Sequence, residues 1–138
     1  GYQRLRREVP YGQRSRVDLL LEDDQRPPLY LEIKNVHLRR PQVANGRAAE
    51  FPDCPTARGA RHLTELAAVV QAGARAGLLY LVQRDDCDHF RIAADLDPAY
   101  AKAAAAAAAT GVEMMCFACR LTPHAIDLDR PLPIQSGG

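Results

Sequence analysis

Apolar residues follow two different periods along the chain, and each period predicts one kind of element. Short alternating or continuous apolar runs predict β-strands at 8–11, 17–22, 29–37, 78–82 and 112–121, with an edge strand near 125–128. Helical spacing predicts a first helix that Thr56 caps and that continues to about Ala76, where Gly77 closes it. Asp97 predicts the start of a second helix, which runs through the alanine tract to Gly111.

The order of these elements predicts the fold class. The turn-rich segment 23–28 is short enough to join the second and third strands as an antiparallel hairpin. Each later strand follows a helix, which is typical of crossover connections. The stretches 39–55 and 85–91 are predicted to be loops. The sequence therefore predicts an α/β fold with a mixed β-sheet flanked by helices, in the order β-β-β-α-β-α-β.

Composition places the chain among ordinary globular proteins and excludes little else. Its 138 residues are 47% hydrophobic and 25% charged, with a net charge of +1, and they predict one domain over 1–138. Bulk charge is no evidence for nucleic acid, although five arginines near the start could form a local basic face: Arg4, Arg6, Arg7, Arg14 and Arg16. No apolar run reaches membrane-spanning length and no signal-peptide pattern is present, which favours the cytoplasm.

Two charged residues interrupt the apolar run of the third strand, and another lies on the strand before it. Because side chains alternate along a strand, Glu32 and Lys34 share one face. A hairpin register centred on the turn would set Asp18 opposite or diagonal to Glu32. Buried charges are costly unless they are paired or bind a metal. Two alternatives remain open: a structural ion-pair network, or a site in which both carboxylates bind Mg²⁺ or Mn²⁺ and Lys34 assists hydrolysis.

The first predicted helix carries a polar stripe beside its apolar one. Arg58, His62 and Glu65 follow i, i+4, i+7 spacing and so lie along one side. Each also has a simpler role open to it: an exposed arginine, a surface histidine, and a carboxylate paired within the helix. Cys116 and Cys119 form a CxxC pattern inside a predicted strand, where buried thiols are expected rather than a zinc site.

The pattern Asp…Glu-x-Lys on a hairpin followed by a helix resembles the core of the PD-(D/E)XK nuclease superfamily. A narrower resemblance, to the sugar fermentation stimulation protein A (SfsA) family, spans nearly the whole chain. It is carried by EVPYG at 8–12, SRVDLL at 15–20, YLEIKNVHL at 30–38, FPD at 51–53 and TARGARHLTEL at 56–66, and it continues from GVE at 111–113 to the end.

This resemblance implies a role for each candidate residue. Asp18 and Glu32 would bind the metal, with the Ile33 main-chain carbonyl as a further ligand and Lys34 as the catalytic lysine. Glu8 matches an upstream acidic position that would reach the metal, directly or through water. Arg58, His62 and Glu65 match the helix that borders the site, where they would contact phosphate or support the metal ligands.

The resemblance also implies partners and an alternative function. The family is described as DNA-binding, with a proposed nuclease role and a historical link to maltose metabolism. Hydrolysis of DNA, with RNA as the other substrate, is the first expectation, and a non-catalytic nucleic-acid-binding or regulatory module with the same fold is the alternative. Family members carry an N-terminal OB-like domain, which this chain is expected to lack. A homodimer is expected from the way nucleases cut two strands.

Overall fold

The computed structural model describes residues 1–13, 15–43 and 46–135. Arg14, one of the arginines of the expected basic face, lies outside the described residues. The elements in chain order are β1 (Arg4–Tyr11), β2 (Ser15–Asp23), β3 (Arg26–Val36), β4 (Ala48–Phe51), α1 (Ala57–Gln71), β5 (Arg75–Val82), β6 (His89–Ile92), α2 (Pro98–Thr110), β7 (Glu113–Leu121) and β8 (Ile126–Pro131).

A six-stranded mixed sheet, in the order β1-β2-β3-β5-β7-β8, confirms the predicted α/β class. The strands β1, β2 and β3 form an antiparallel meander, β3, β5 and β7 are parallel, and β8 returns antiparallel at the edge. Both crossovers advance in the same direction across the sheet, so right-handed connections put α1 and α2 on the same face. The two helices accordingly contact each other.

Caps explain where the helices begin and end. The hydroxyl of Thr56 accepts a hydrogen bond from the Gly59 amide, and Asp97 accepts one from Tyr100 at the start of α2. Neither described helix is long and apolar enough to cross a membrane. The predicted end of α1 was wrong: the helix stops at Gln71 because Gly73, at φ 101°, supplies the left-handed residue that ends a helix. Residues 75–82 are then free to form β5.

Two short strands within the predicted loops form a second sheet. The strand β4 lies inside the predicted loop 39–55 and β6 begins inside the predicted loop 85–91, and the two pair in parallel. Each strand has only four residues, and its partner is about forty positions away, so local periodicity gave no sign of the pairing. Buried Ala49 and Phe90 join this small sheet to the main core.

The core lies on the helix side of the sheet and determines which face of β3 is covered. Val36 belongs to the same buried cluster as Leu63 and Leu66 of α1. Because Glu32 and Lys34 alternate in step with Val36, they lie on the face that α1 covers. The buried hydroxyls of Tyr80 and Tyr100 lie 2.7 Å apart and join β5 to α2. The two predicted CxxC thiols, Cys116 and Cys119, are buried, as expected.

Candidate functional site

The hairpin brings Asp18 beside the third strand at the predicted place. The antiparallel ladder pairs Leu19 with Leu31, so Asp18 and Glu32 are the next residues on the two strands. The Ile33 amide donates a hydrogen bond of 2.6 Å to Asp18 Oδ2. The Asp18 side chain therefore takes the place of a main-chain acceptor for the Ile33 amide. This amide holds one oxygen of the Asp18 carboxylate in position.

Glu32, Lys34 and His62 form a tight triangle under α1. Lys34 Nζ lies 3.4 Å from Glu32 Oε1 and 3.3 Å from His62 Nδ1, and that same Nδ1 lies 3.2 Å from Glu32 Oε1. All three side chains are largely buried, with exposed fractions of 6%, 17% and 6% for Glu32, Lys34 and His62. A neutral imidazole nitrogen can accept from Lys34 or donate to Glu32, but it cannot do both. His62 therefore positions one of these two charged groups.

The electrostatic surroundings act differently on the acid and the imidazole. Burial raises the pKa of Glu32, and the Asp18 charge raises it further against the opposing effects of Lys34 and Arg58. Burial and the nearby positive charges, first that of Lys34, lower the pKa of His62. His62 is consequently neutral at neutral pH. Burial and the neighbouring Asp18 carboxylate therefore both disfavour the charged form of Glu32.

One oxygen of this carboxylate is buried and unsatisfied. Glu32 Oε2 has no hydrogen-bond partner among the described residues, although Glu32 is only 5% exposed. A buried acceptor without a partner fits a cation or a donor brought by a ligand. Within residues 1–13, 15–43 and 46–135, no three His, Cys, Asp or Glu side chains converge in a way that could hold a metal. Asp18 and Glu32 would thus supply only part of a cation's ligands, and water or substrate oxygens would have to supply the rest.

The remaining sequence-predicted residues lie at different distances from this centre. Arg58 is exposed at the start of α1, yet its charge affects the pKa of both Glu32 and His62, so it borders the site. Glu65 is half-buried three residues beyond His62. Glu8 lies level with Asp18 in the register of β1 and β2, but it is exposed and has a φ of 54°. No hydrogen bond or ion pair between described residues joins Glu8 to the other carboxylates.

Sequence reasoning missed Tyr11, the last residue of β1, and Gly12, which follows it. The Tyr11 hydroxyl is buried, and its pKa is raised by burial and then by the charges of Glu32, Glu65 and Asp18, so it faces the carboxylates. A Cβ at Gly12 would lie 2.8 Å from the Glu65 Cδ, so the turn after β1 presses against α1. The signal available in the sequence was a tyrosine before a glycine at a strand end, which is too common to be informative.

The N-terminal arginines form a weaker basic face than their number suggested. Arg4 pairs with Asp24 and Arg6 with Glu22 on the neighbouring hairpin. Their charge is therefore partly neutralised locally.

Comparison with known proteins identifies relatives of the whole chain. Residues 1–125 match the family described as "Sugar fermentation stimulation protein RE domain". The chain is 60% identical over 136 residues to a sugar fermentation stimulation protein homolog of Rhodospirillum centenum, covering 99% of this chain and 57% of that protein. A homolog from Paramagnetospirillum magneticum is 55% identical over 135 residues, covering 98% of this chain and 55% of that protein.

A solved structure has the same architecture. The structure of Pyrococcus furiosus SfsA in complex with Ca²⁺ aligns with a TM-score of 0.83 and 28% identity, covering 94% of this chain and 54% of that one. The chain thus spans about half the length of the curated relatives it matches.

Proposed function

Because the chain belongs to the sugar fermentation stimulation protein family, we propose that it is a divalent-cation-dependent hydrolase of nucleic-acid phosphodiester bonds. The observation that carries this proposal is the burial and incomplete hydrogen bonding of the Glu32 carboxylate. It is buried, lies beside Asp18 and Lys34, and has one oxygen without a partner among the described residues. A buried carboxylate retained for structure alone would have both oxygens satisfied.

Mg²⁺ or Mn²⁺ is the proposed cofactor, and Asp18, Glu32 and the Ile33 carbonyl are its proposed ligands. Such a cation would polarise a phosphoryl oxygen and offset its charge. Mg²⁺ is commonly held by one or two carboxylates together with substrate phosphates and water, which suits a site with few protein ligands. The Pyrococcus furiosus SfsA structure is a complex with Ca²⁺, which supports a hard cation in this fold. Glu8 remains a proposed outer ligand through water.

The side chains around this centre have separate proposed tasks. The Lys34 ammonium donates hydrogen bonds to the phosphoryl group and offsets the charge that builds up on it. His62 keeps Lys34 in place through the 3.3 Å contact with Nδ1. Arg58, exposed at the rim, binds a flanking phosphate. During hydrolysis a water oxygen would bond to phosphorus and give up a proton, the ester P–O bond would break, and the departing oxygen would take up a proton.

DNA is the proposed partner, with RNA as the other substrate, and a homodimer and a cytoplasmic location belong to the same proposal. One observation favours a second candidate, a non-catalytic nucleic-acid-binding or regulatory module. No three-ligand cluster of acidic, histidine or cysteine side chains exists among the described residues. The two candidates differ at Lys34, which a binding module does not need for chemistry.

Calorimetric Mn²⁺ binding and cleavage of labelled DNA and RNA test the proposal. We expect Asp18→Asn and Glu32→Gln each to abolish Mn²⁺ binding. Lys34→Met should keep binding within about tenfold and lower kcat by about 10²- to 10³-fold, because a donor that acts on the transition state is lost. Lys102→Met is the matched control, since Lys102 is the only other lysine and is exposed on α2.

The outcomes separate the two candidates. Wild-type binding of Mn²⁺ without cleavage of any substrate, together with nucleic-acid affinity that Lys34→Met leaves intact, would establish the binding module. Absence of Mn²⁺ binding in the wild-type chain would contradict the proposed site.

A further inference from the structure

Three buried polar atoms around the proposed centre lack hydrogen-bond partners among the described residues. They are Glu32 Oε2, Glu65 Oε2 and the Tyr11 hydroxyl. Ser15, the cross-strand neighbour of Tyr11, is also buried with an unpartnered hydroxyl. Native proteins leave few such atoms, so a cluster of them indicates a ligand or an ordered water.

Packing holds Tyr11 at this place. Its ring lies 5.8 Å from the ring of Tyr30, measured between centroids. Tyr30 is two residues before Glu32 and therefore shares its face of β3. The next residue, Gly12, is in the left-handed region at φ 61° and presses against the Glu65 carboxylate. Tyr11, at the end of β1, thus packs against β3, and the turn that follows it contacts α1.

One small molecule can form hydrogen bonds with all three atoms. Two carboxylate oxygens can only accept hydrogen bonds, and the phenol can donate. Burial and the three surrounding carboxylates raise the pKa of Tyr11, so the hydroxyl keeps its proton. A water molecule can donate to both carboxylates while it accepts from the phenol, which matches the three hydrogen bonds that buried waters typically make.

We propose that Tyr11 is a positioning residue, whose hydroxyl donates to a water molecule held by Glu32 and Glu65 and so orients the water that hydrolysis consumes. This inference rests on the proposed function and adds to it a residue that the Asp…Glu-x-Lys pattern does not contain. Glu65 is the acceptor on the helix side, and the Gly12 turn keeps it in place.

Tyr11→Phe removes only the hydroxyl and keeps the ring against Tyr30. We expect kcat to fall by about 10- to 100-fold with KM for the nucleic acid within about twofold, which is the size of effect that outer-shell partners have. Glu65→Gln should change kcat in the same direction. Tyr2→Phe is the matched control, because the Tyr2 hydroxyl binds Pro27 and Arg75 instead.

Terbium luminescence gives a readout that does not depend on cleavage. The chain has five tyrosines and no tryptophan, so tyrosine is the main sensitiser of Tb³⁺, a hard cation that binds oxygen. We expect Asp18→Asn to abolish the sensitised emission and Tyr11→Phe to remove much of it, whereas Tyr2→Phe leaves it nearly unchanged.

Two results would overturn the inference in distinguishable ways. If the wild-type chain binds Tb³⁺ through Asp18, but Tyr11→Phe keeps full kcat, Tyr11 has no positioning role and the proposed function survives. If the wild-type chain binds neither Tb³⁺ nor Mn²⁺, both proposals fail. Should Tyr11→Phe not fold, an unchanged kcat in folded Glu65→Gln would equally overturn the inference.

Discussion

Two glutamates are buried in the described part of the chain, and their carboxylate oxygens are satisfied to different extents. Glu50 on β4 is 1% exposed, and Arg40 binds both of its oxygens at 2.7 and 2.8 Å, with Arg91 at 3.6 Å. Arg40 also binds Asp95 through two hydrogen bonds. Glu32 on β3 is 5% exposed, yet among the described residues its polar contacts are those of Oε1 with Lys34 and His62.

The difference separates a structural charge from one available to a ligand. A bidentate arginine compensates the desolvation of Glu50, and this cluster ties the 39–55 segment to β6 and its following loop. Glu32 receives partial compensation, and its raised pKa reports that burial outweighs the help from Lys34. Burial does not distinguish the two carboxylates, because both are almost fully buried. The number of carboxylate oxygens that have a hydrogen-bond partner does distinguish them.

The largest effect on stability is expected at the satisfied pair. Arg40→Met leaves Glu50 buried with Arg91, at 3.6 Å, as its remaining partner among the described residues. We expect the free energy of unfolding to fall by about 3–5 kcal/mol, as when a buried pair loses one partner. Urea unfolding followed by circular dichroism measures it. The control is Arg6→Met, whose exposed pair with Glu22 should cost no more than about 1 kcal/mol. Equal losses in the two variants would contradict the distinction.

A smaller effect on stability is expected at the unsatisfied carboxylate. Glu32→Gln keeps the side-chain volume and removes a charge that burial disfavours, so the free energy of unfolding should change by less than about 1 kcal/mol. The same urea experiment at neutral pH measures it beside Arg40→Met. A loss as large as that of Arg40→Met would mean that Glu32 is a structural ion pair and that the comparison is wrong.

The smallest effect is a pH dependence that belongs to Glu32 alone. Because its pKa is raised above the ordinary value of 4.5, the folded chain holds this proton to higher pH than the unfolded chain does. The wild-type stability relative to Glu32→Gln should therefore be highest below pH 4.5 and should fall as pH rises through the raised pKa. Subtracting the two unfolding curves across that range isolates the effect. A difference that rises with pH would have the wrong sign.

Local patterns were sufficient for most of the fold because most of its elements are long and strongly periodic. The hairpin of β2 and β3, both helix starts and the parallel strands after them were all predictable. The end of α1 was misjudged because Gly77 and Gly73 are equal as sequence signals, and only the start of β5 distinguishes them. The β4–β6 sheet was missed because four-residue strands carry too little periodicity.

The candidate site divides in the same way. Its Asp18, Glu32 and Lys34 were predictable because strand alternation and a short turn place them on one face. The sequence placed His62 on the polar stripe of the first helix. It did not show that His62 approaches Glu32 and Lys34. Tyr11 gave no signal, since its position depends on a turn that packs against α1 more than fifty residues away.

The strand and helix periods, the hairpin and the charged residues that share a face can all be inferred from sequence, because each depends on neighbours within a few positions. Only the folded chain brings Arg40 to both oxygens of Glu50 while it leaves one Glu32 oxygen without a partner among the described residues. Hydrogen-bond satisfaction depends on atoms brought together from distant segments, and residue type and spacing do not encode it locally.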